Sequence, residues 1–67
     1  MDMRQTVGKN VRKFRDKRGL SQEELAFETD LHRTYISGVE RGVRNPTVLV
    51  IERLAKALKI QPYELLK

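Results

Sequence analysis

There is no cysteine and no tryptophan among these 67 residues, and only two prolines, four glycines and a single histidine. Without cysteine, disulfides and thiolate zinc sites are impossible, and His32 alone cannot build a metal centre, so neither metal nor cofactor is expected. No apolar run approaches the roughly 18 residues that a membrane span requires. Met1-Asp2-Met3-Arg4-Gln5 lacks the apolar stretch of a signal peptide, which points to a cytoplasmic protein. Acid is in deficit too: 9 Asp and Glu stand against 14 Lys and Arg, for a net charge of +5. That excess favours polyanionic partners, nucleic acid first and an anionic membrane second. A chain this short is a single domain, residues 1–67, with one small core. Below about 70–80 residues such a core rarely suffices alone, so idealised helix packing or oligomerisation must supply stability.

Catalytic signatures are missing as well. There is no G-x-S-x-G run, no glycine-rich phosphate loop and no set of metal ligands. Ser37 and His32 lie five apart on one short helical stretch, outside the geometry of a nucleophile and its base. No enzyme is expected. A membrane-surface helix is disfavoured because the first helical stretch has no broad aromatic or leucine face opposite its lysines.

What is present is a segmented charge pattern. Residues 1–20 carry seven basic and two acidic groups, residues 21–31 carry Glu23, Glu24, Glu28 and Asp30, and residues 32–46 set Arg33, Arg41 and Arg44 against Glu40. An acidic patch between two basic stretches suits a folded binder with a defined face better than a basic tail.

Helical periodicity dominates and no strand alternation survives inspection. Val7, Val11 and Phe14 recur at i, i+4 and i+7, flanked by Lys9, Arg12, Lys13, Lys17 and Arg18, a mostly solvated basic face. Asp2 with Gln5 can cap this first helix and Gly19 stops it. Ser21-Gln22-Glu23-Glu24 is a capping box, with Leu20 and Leu25 placed as a hydrophobic staple, so a second helix starts at Gln22, runs through Leu25, Ala26 and Phe27, and ends near Thr29-Asp30. A third spans about His32 to Arg41, closed by Gly42. Pro46 ends a loop, Thr47 caps a fourth helix whose apolar set is Ile51, Leu54, Ala55 and Leu58, and Gln61-Pro62 opens a last helical turn. The expectation is five short helices.

At roughly 100° per residue, Arg33, Ser37, Arg41, Thr34 and Gly38 share an arc of about 140° on the third helix, while Tyr35, Ile36 and Val39 lie opposite. One face is apolar; the other is hydrogen-bonding and carries no acid. Two helices joined by a tight turn, the second with a basic polar face, fit a helix-turn-helix over about residues 21–41.

The run Gly19-Leu20-Ser21-Gln22-Glu23-Glu24-Leu25-Ala26, then Arg33-Thr34-Tyr35-Ile36-Ser37, Glu40-Arg41-Gly42, Arg44-Asn45-Pro46 and Leu54-Ala55-Lys56-Ala57-Leu58, resembles the phage repressor/Cro-type (XRE-type) helix-turn-helix family over about residues 7–66. The resemblance implies an all-α, five-helix, lambda repressor-like domain that binds double-stranded DNA. It places Arg33 and Thr34 at base-reading positions, with Ser37 one turn on, and this suits their chemistry: arginine pairs with a guanine edge, and threonine bonds a base or packs on a thymine methyl. It sets Gln22 against the DNA backbone or an adjacent base, and Arg41, Arg44, Asn45 and the Tyr35 hydroxyl near phosphates. It pairs Arg15 of the first helix with Glu40 as a structural ion pair.

Departures are informative. Relatives commonly carry Gly at the position of Asp30 and Ser or Thr at that of His32, so either Asp30 caps the third helix or that helix is left weakly capped. Gly38 removes a base reader unless close backbone approach is its purpose. Leu49 falls on the polar outer face of the fourth helix, and beside Tyr63 or Leu66 it would mark a subunit interface. A homodimer is expected, because one such helix reads only a few base pairs. Taken as complete at 67 residues, the chain looks like the small controller proteins of restriction–modification operons; a truncated repressor domain or an antitoxin-like interaction module shares the pattern.

Overall fold

The computed structural model describes residues 2–67. They form α1 (Met3–Lys17), α2 (Gln22–Thr29), α3 (Arg33–Glu40), α4 (Val48–Leu58) and a 3-10 turn (Pro62–Leu65). Local chemistry sets most of these boundaries. The Asp2 carboxylate accepts the Arg4 N–H at 2.8 Å and opens α1. Ser21 and Glu24 form the reciprocal box, with Glu24 N–H to Ser21 Oγ at 3.0 Å and Ser21 N–H to Glu24 Oε1 at 2.8 Å. Thr47 Oγ1 accepts the Val50 N–H at 3.2 Å.

Three expectations need correction. The last element is not a fifth α-helix: its bonds run to the third residue back, Glu64 N–H to the Gln61 carbonyl and Leu66 N–H to that of Tyr63. Leu65 enters the core, and its carbonyl accepts the Asn10 amide at 3.0 Å. At α1 the partner of Asp2 is Arg4, whose guanidinium reaches the carboxylate at 2.7 Å, while the stem of Gln5 packs by Gly42 instead. Arg18 does not belong to the solvated basic face; its guanidinium donates to Glu28 Oε1 at 3.0 Å and to the Ala57 carbonyl near the end of α4.

The core is the union of the helical stripes. Val7 and Val11 of α1, Leu25 and Ala26 of α2, Ile36 and Val39 of α3, Ile51, Leu54, Ala55 and Leu58 of α4, and Leu65 are all buried, with Phe14, Leu20, Leu31 and Tyr35 packed around them. In α2 the buried set is Leu25, Ala26 and Thr29, which turns Phe27 outward beside Glu23, Glu24 and Glu28, 89% exposed. The crossing of α1 and α3 is close because Gly8 has no side chain. A Cβ there would run into the Val39 carbonyl oxygen and stand 2.8 Å from that of Glu40. Among the described residues no helix is long and apolar enough to cross a membrane.

Candidate nucleic-acid interface

The turn that precedes α3 is made by a left-handed residue. Asp30, at φ 57° and ψ 38°, closes α2, and its N–H bonds back to the Phe27 carbonyl at 3.3 Å. Asp tolerates this conformation better than most side chains. Asp30 therefore ends the second helix and does not cap the third. His32 takes the N-cap position of α3 in extended backbone and makes no capping bond, so α3 is the weakly capped alternative.

Burial of Ile36 and Val39 rotates the opposite side of α3 outward. His32, Arg33 and Thr34 are exposed, Ser37 is half-buried, and Arg41, just past the last turn, is exposed. Tyr35 is half-buried against the core. The loop beyond Gly42 returns to this same helix: Val43 and Arg44 both donate their N–H groups to the Gly38 carbonyl, at 3.0 and 3.2 Å. Arg44 is exposed, with its guanidinium carbon 5.9 Å from the centre of the Tyr35 ring, and Asn45 follows, exposed.

The acid at the edge of this surface is neutralised. Arg15 Nε donates to Glu40 Oε2 at 2.6 Å and Arg15 Nη2 to Oε1 at 3.0 Å, a bidentate pair whose side chains are only 12% and 5% exposed. Arg15 also caps the Leu20 carbonyl at 2.8 Å, which ties the turn before α2 to the pair. The hydrogen bonds it donates to Glu40 raise the Arg15 guanidinium's affinity for its proton, against the opposing effect of burial. Gln22, the first residue of α2, donates its Nε2 to Glu40 Oε1 at 3.1 Å. Because a carboxylate only accepts, the amide nitrogen must face inward, with one N–H left over.

The geometry thus brings Arg33, Thr34, Ser37, Arg41, Arg44 and Tyr35 onto or beside one face, with Gln22 joined to it through Glu40. Leu49, Tyr63 and Leu66 are exposed elsewhere; Leu66 lines an apolar groove with Met3, Pro46, Val48 and Pro62, whereas Leu49 and Tyr63 lie outside that lining. Two residues that matter here escape a reading of the sequence. Phe27 counts as apolar in a helix, and only the choice of Leu25, Ala26 and Thr29 as the buried set exposes it. Gly38 reads as a lost base reader or a place of close approach, and nothing local names Arg44 as what approaches.

Comparison with known proteins agrees with this fold. Residues 11–65 match the helix-turn-helix family. Control protein C.BamHI of Bacillus amyloliquefaciens is 53% identical over 66 residues, covering 97% of this chain and 82% of its own. Control protein C.SmaI of Serratia marcescens is 47% identical over 66 residues, covering 98% and 79%. Among solved structures, the restriction–modification controller protein C.AhdI from Aeromonas hydrophila superposes with a TM-score of 0.89 at 48% identity, over 92% of this chain and 94% of that one. The chain belongs to the helix-turn-helix family of transcriptional regulators.

Proposed function

We propose that this protein is a sequence-specific regulator of transcription of the restriction–modification controller kind, a homodimer that lays α3 of each copy in a major groove of double-stranded DNA. The observation that carries the reading is the outward face of α3: exposed Arg33 and Thr34 stand with Ser37 and Arg44, and the one nearby acid is held by Arg15. Arg33 suits bidentate pairing with the O6 and N7 of a guanine, Thr34 a base edge or thymine methyl, and Ser37 a weaker base contact. Gln22, through its remaining amide N–H, and Tyr35, Arg41, Arg44 and Asn45 suit the sugar–phosphate backbone on either side. Exposed Leu49, Tyr63 and Leu66 supply apolar surface for a second copy. The longest extent of one copy is 28 Å, of the order of the roughly 34 Å between half-sites one helical turn apart. The place of action is the cytoplasm, where the genomes of the bacterial relatives lie.

Selection of binding sites from random duplexes tests this directly. The expected product is a two-fold symmetric site with half-sites about one turn apart. On it, Arg33→Ala costs about 1–3 kcal/mol and relaxes preference at one base pair per half-site. Equal losses on selected and random duplexes would remove Arg33 from base readout, and no enrichment at all would overturn the reading.

A further inference from the structure

Gly38 stands on the outward arc of α3 with Arg33, Thr34, Ser37 and Arg41, yet it is buried. Arg44 covers it. A Cβ at residue 38 would lie 2.6 Å from Arg44 Cγ, 3.5 Å from its Nε and 3.6 Å from its Cδ. The loop is brought there by the two backbone bonds that the Gly38 carbonyl accepts from Val43 and Arg44. From Gly38 the arginine stem runs along bare backbone and its charged end sits by the Tyr35 ring, 5.9 Å from the centre, an apolar stem and a cation each on a matching surface. The side chain remains exposed on its outer side.

We propose that Gly38 is a positioning residue for Arg44. The place that a side chain would take on the recognition helix is left open, and an arginine from the following loop occupies it, held on the outward face before any duplex arrives. Side-chain freedom that binding would otherwise have to remove is already lost in the free protein. The inference rests on the duplex binding proposed above and goes beyond it: contact by Arg44 depends on a residue that itself touches no DNA.

The experiment titrates the wild-type protein, Gly38→Ala, Arg44→Ala and the double variant against one duplex enriched by the wild-type protein from a random pool, and follows thermal unfolding of each. Gly38→Ala binds about tenfold more weakly, the equivalent of one charge-assisted contact. Its unfolding midpoint falls less than that of Gly8→Ala, since the methyl meets a side chain that can rotate about χ1 and not fixed backbone carbonyls. The double variant binds no more weakly than Arg44→Ala. Unchanged affinity in Gly38→Ala overturns the proposal, and so does a full further loss on top of Arg44→Ala, because the methyl would then obstruct the duplex itself. Nitrogen-15 relaxation at Arg44 Nε in the free wild-type protein needs no variant: a restricted N–H vector supports the placement, and a freely reorienting one overturns it. Failure of the wild-type protein to bind any duplex would count against the functional reading, while the relaxation measurement still decides the placement of Arg44.

Discussion

At residue 8 a hydrogen stands where other residues carry a methyl, and α1 can therefore rest on the carbonyl end of α3. The atoms a Cβ would meet, the carbonyl oxygens of Val39 and Glu40, are backbone and cannot rotate aside. Gly8→Ala should gain the roughly 1 kcal/mol that alanine offers a helix and lose more to overpacking, for a net destabilisation of about 1–3 kcal/mol. Urea unfolding checks this, and a stabilised Gly8→Ala would refute the crossing described above. Gly38→Ala is the internal contrast, because there the obstructing neighbour is a side chain that can swing away. Gly8 read only as a weak helix former, and Gly38 as a lost base reader or a place of close approach; what each accommodates comes from a distant or looping segment that the sequence does not name. Arg18 was hidden for the same reason, since both its acceptors lie on other helices. The helical wheel set Glu40 at the edge of the apolar arc of α3, but only the resemblance named Arg15 as its partner.

Elements were far more readable, because their signals are local. The Ser21–Glu24 box, Thr47 before α4 and the apolar set of α4 are short-range patterns that tertiary packing had no reason to override. The last turn was misread as α-helix because its local signals, Pro62 at the start and the Gln61–Glu64 box, serve a single 3-10 turn equally well. Between elements, the bidentate Arg15–Glu40 pair fastens α1 to α3. Removing either partner leaves the other charge nearly buried, so Arg15→Met should cost about 3–5 kcal/mol. The exposed Arg4–Asp2 pair should matter far less to chemical denaturation than this one. Equal losses from Arg15→Met and Arg4→Met would contradict the burial argument.

The caps of α1 and α2 also set an acid limit. The Arg4 guanidinium and backbone N–H hold the Asp2 carboxyl down from 3.8 to about 2, and the Ser21 N–H holds Glu24 below its ordinary range. Groups depressed in the folded state bind fewer protons there than when unfolded. Their stabilisation is complete above the ordinary carboxylate range and is lost as pH falls through the folded values. Thermal unfolding between about pH 6 and about pH 2 should therefore fall more steeply for the wild-type protein than for Asp2→Asn combined with Glu24→Gln, which keeps hydrogen-bonding groups but cannot titrate. Parallel curves would argue against these caps as the source.

For the whole molecule, the segmentation of charge read from the sequence survives folding as a division of labour. The acids of α2 surround Phe27, while the outward arc of α3 and its following loop carry Arg33, Arg41 and Arg44. Affinity for duplexes should fall with salt in proportion to the phosphates met, and Arg41→Ala should lower the slope of log affinity against log salt by about one; an unchanged slope would take Arg41 out of the phosphate set. A surface for a proposed second copy was the least legible feature: Leu49 stood out as apolar among polar neighbours, Tyr63 and Leu66 were only residues it could lie beside, and the fold does not gather the three into one groove.

The His32 carbonyl accepts the Ile36 N–H at 3.1 Å, but its side chain caps none of the earlier N–H groups of α3, so that first turn lacks the bond that Ser21 gives α2. The amide proton of Tyr35 should trade with deuterium sooner than that of Glu24, the equivalent group of α2, which donates to Ser21 Oγ. Engagement with a duplex should then slow the α3 signals more than any others. The opening turn of the helix assigned to recognition would then be looser than that of its neighbour α2 until a partner arrives, while Arg44 at the other end is already in place.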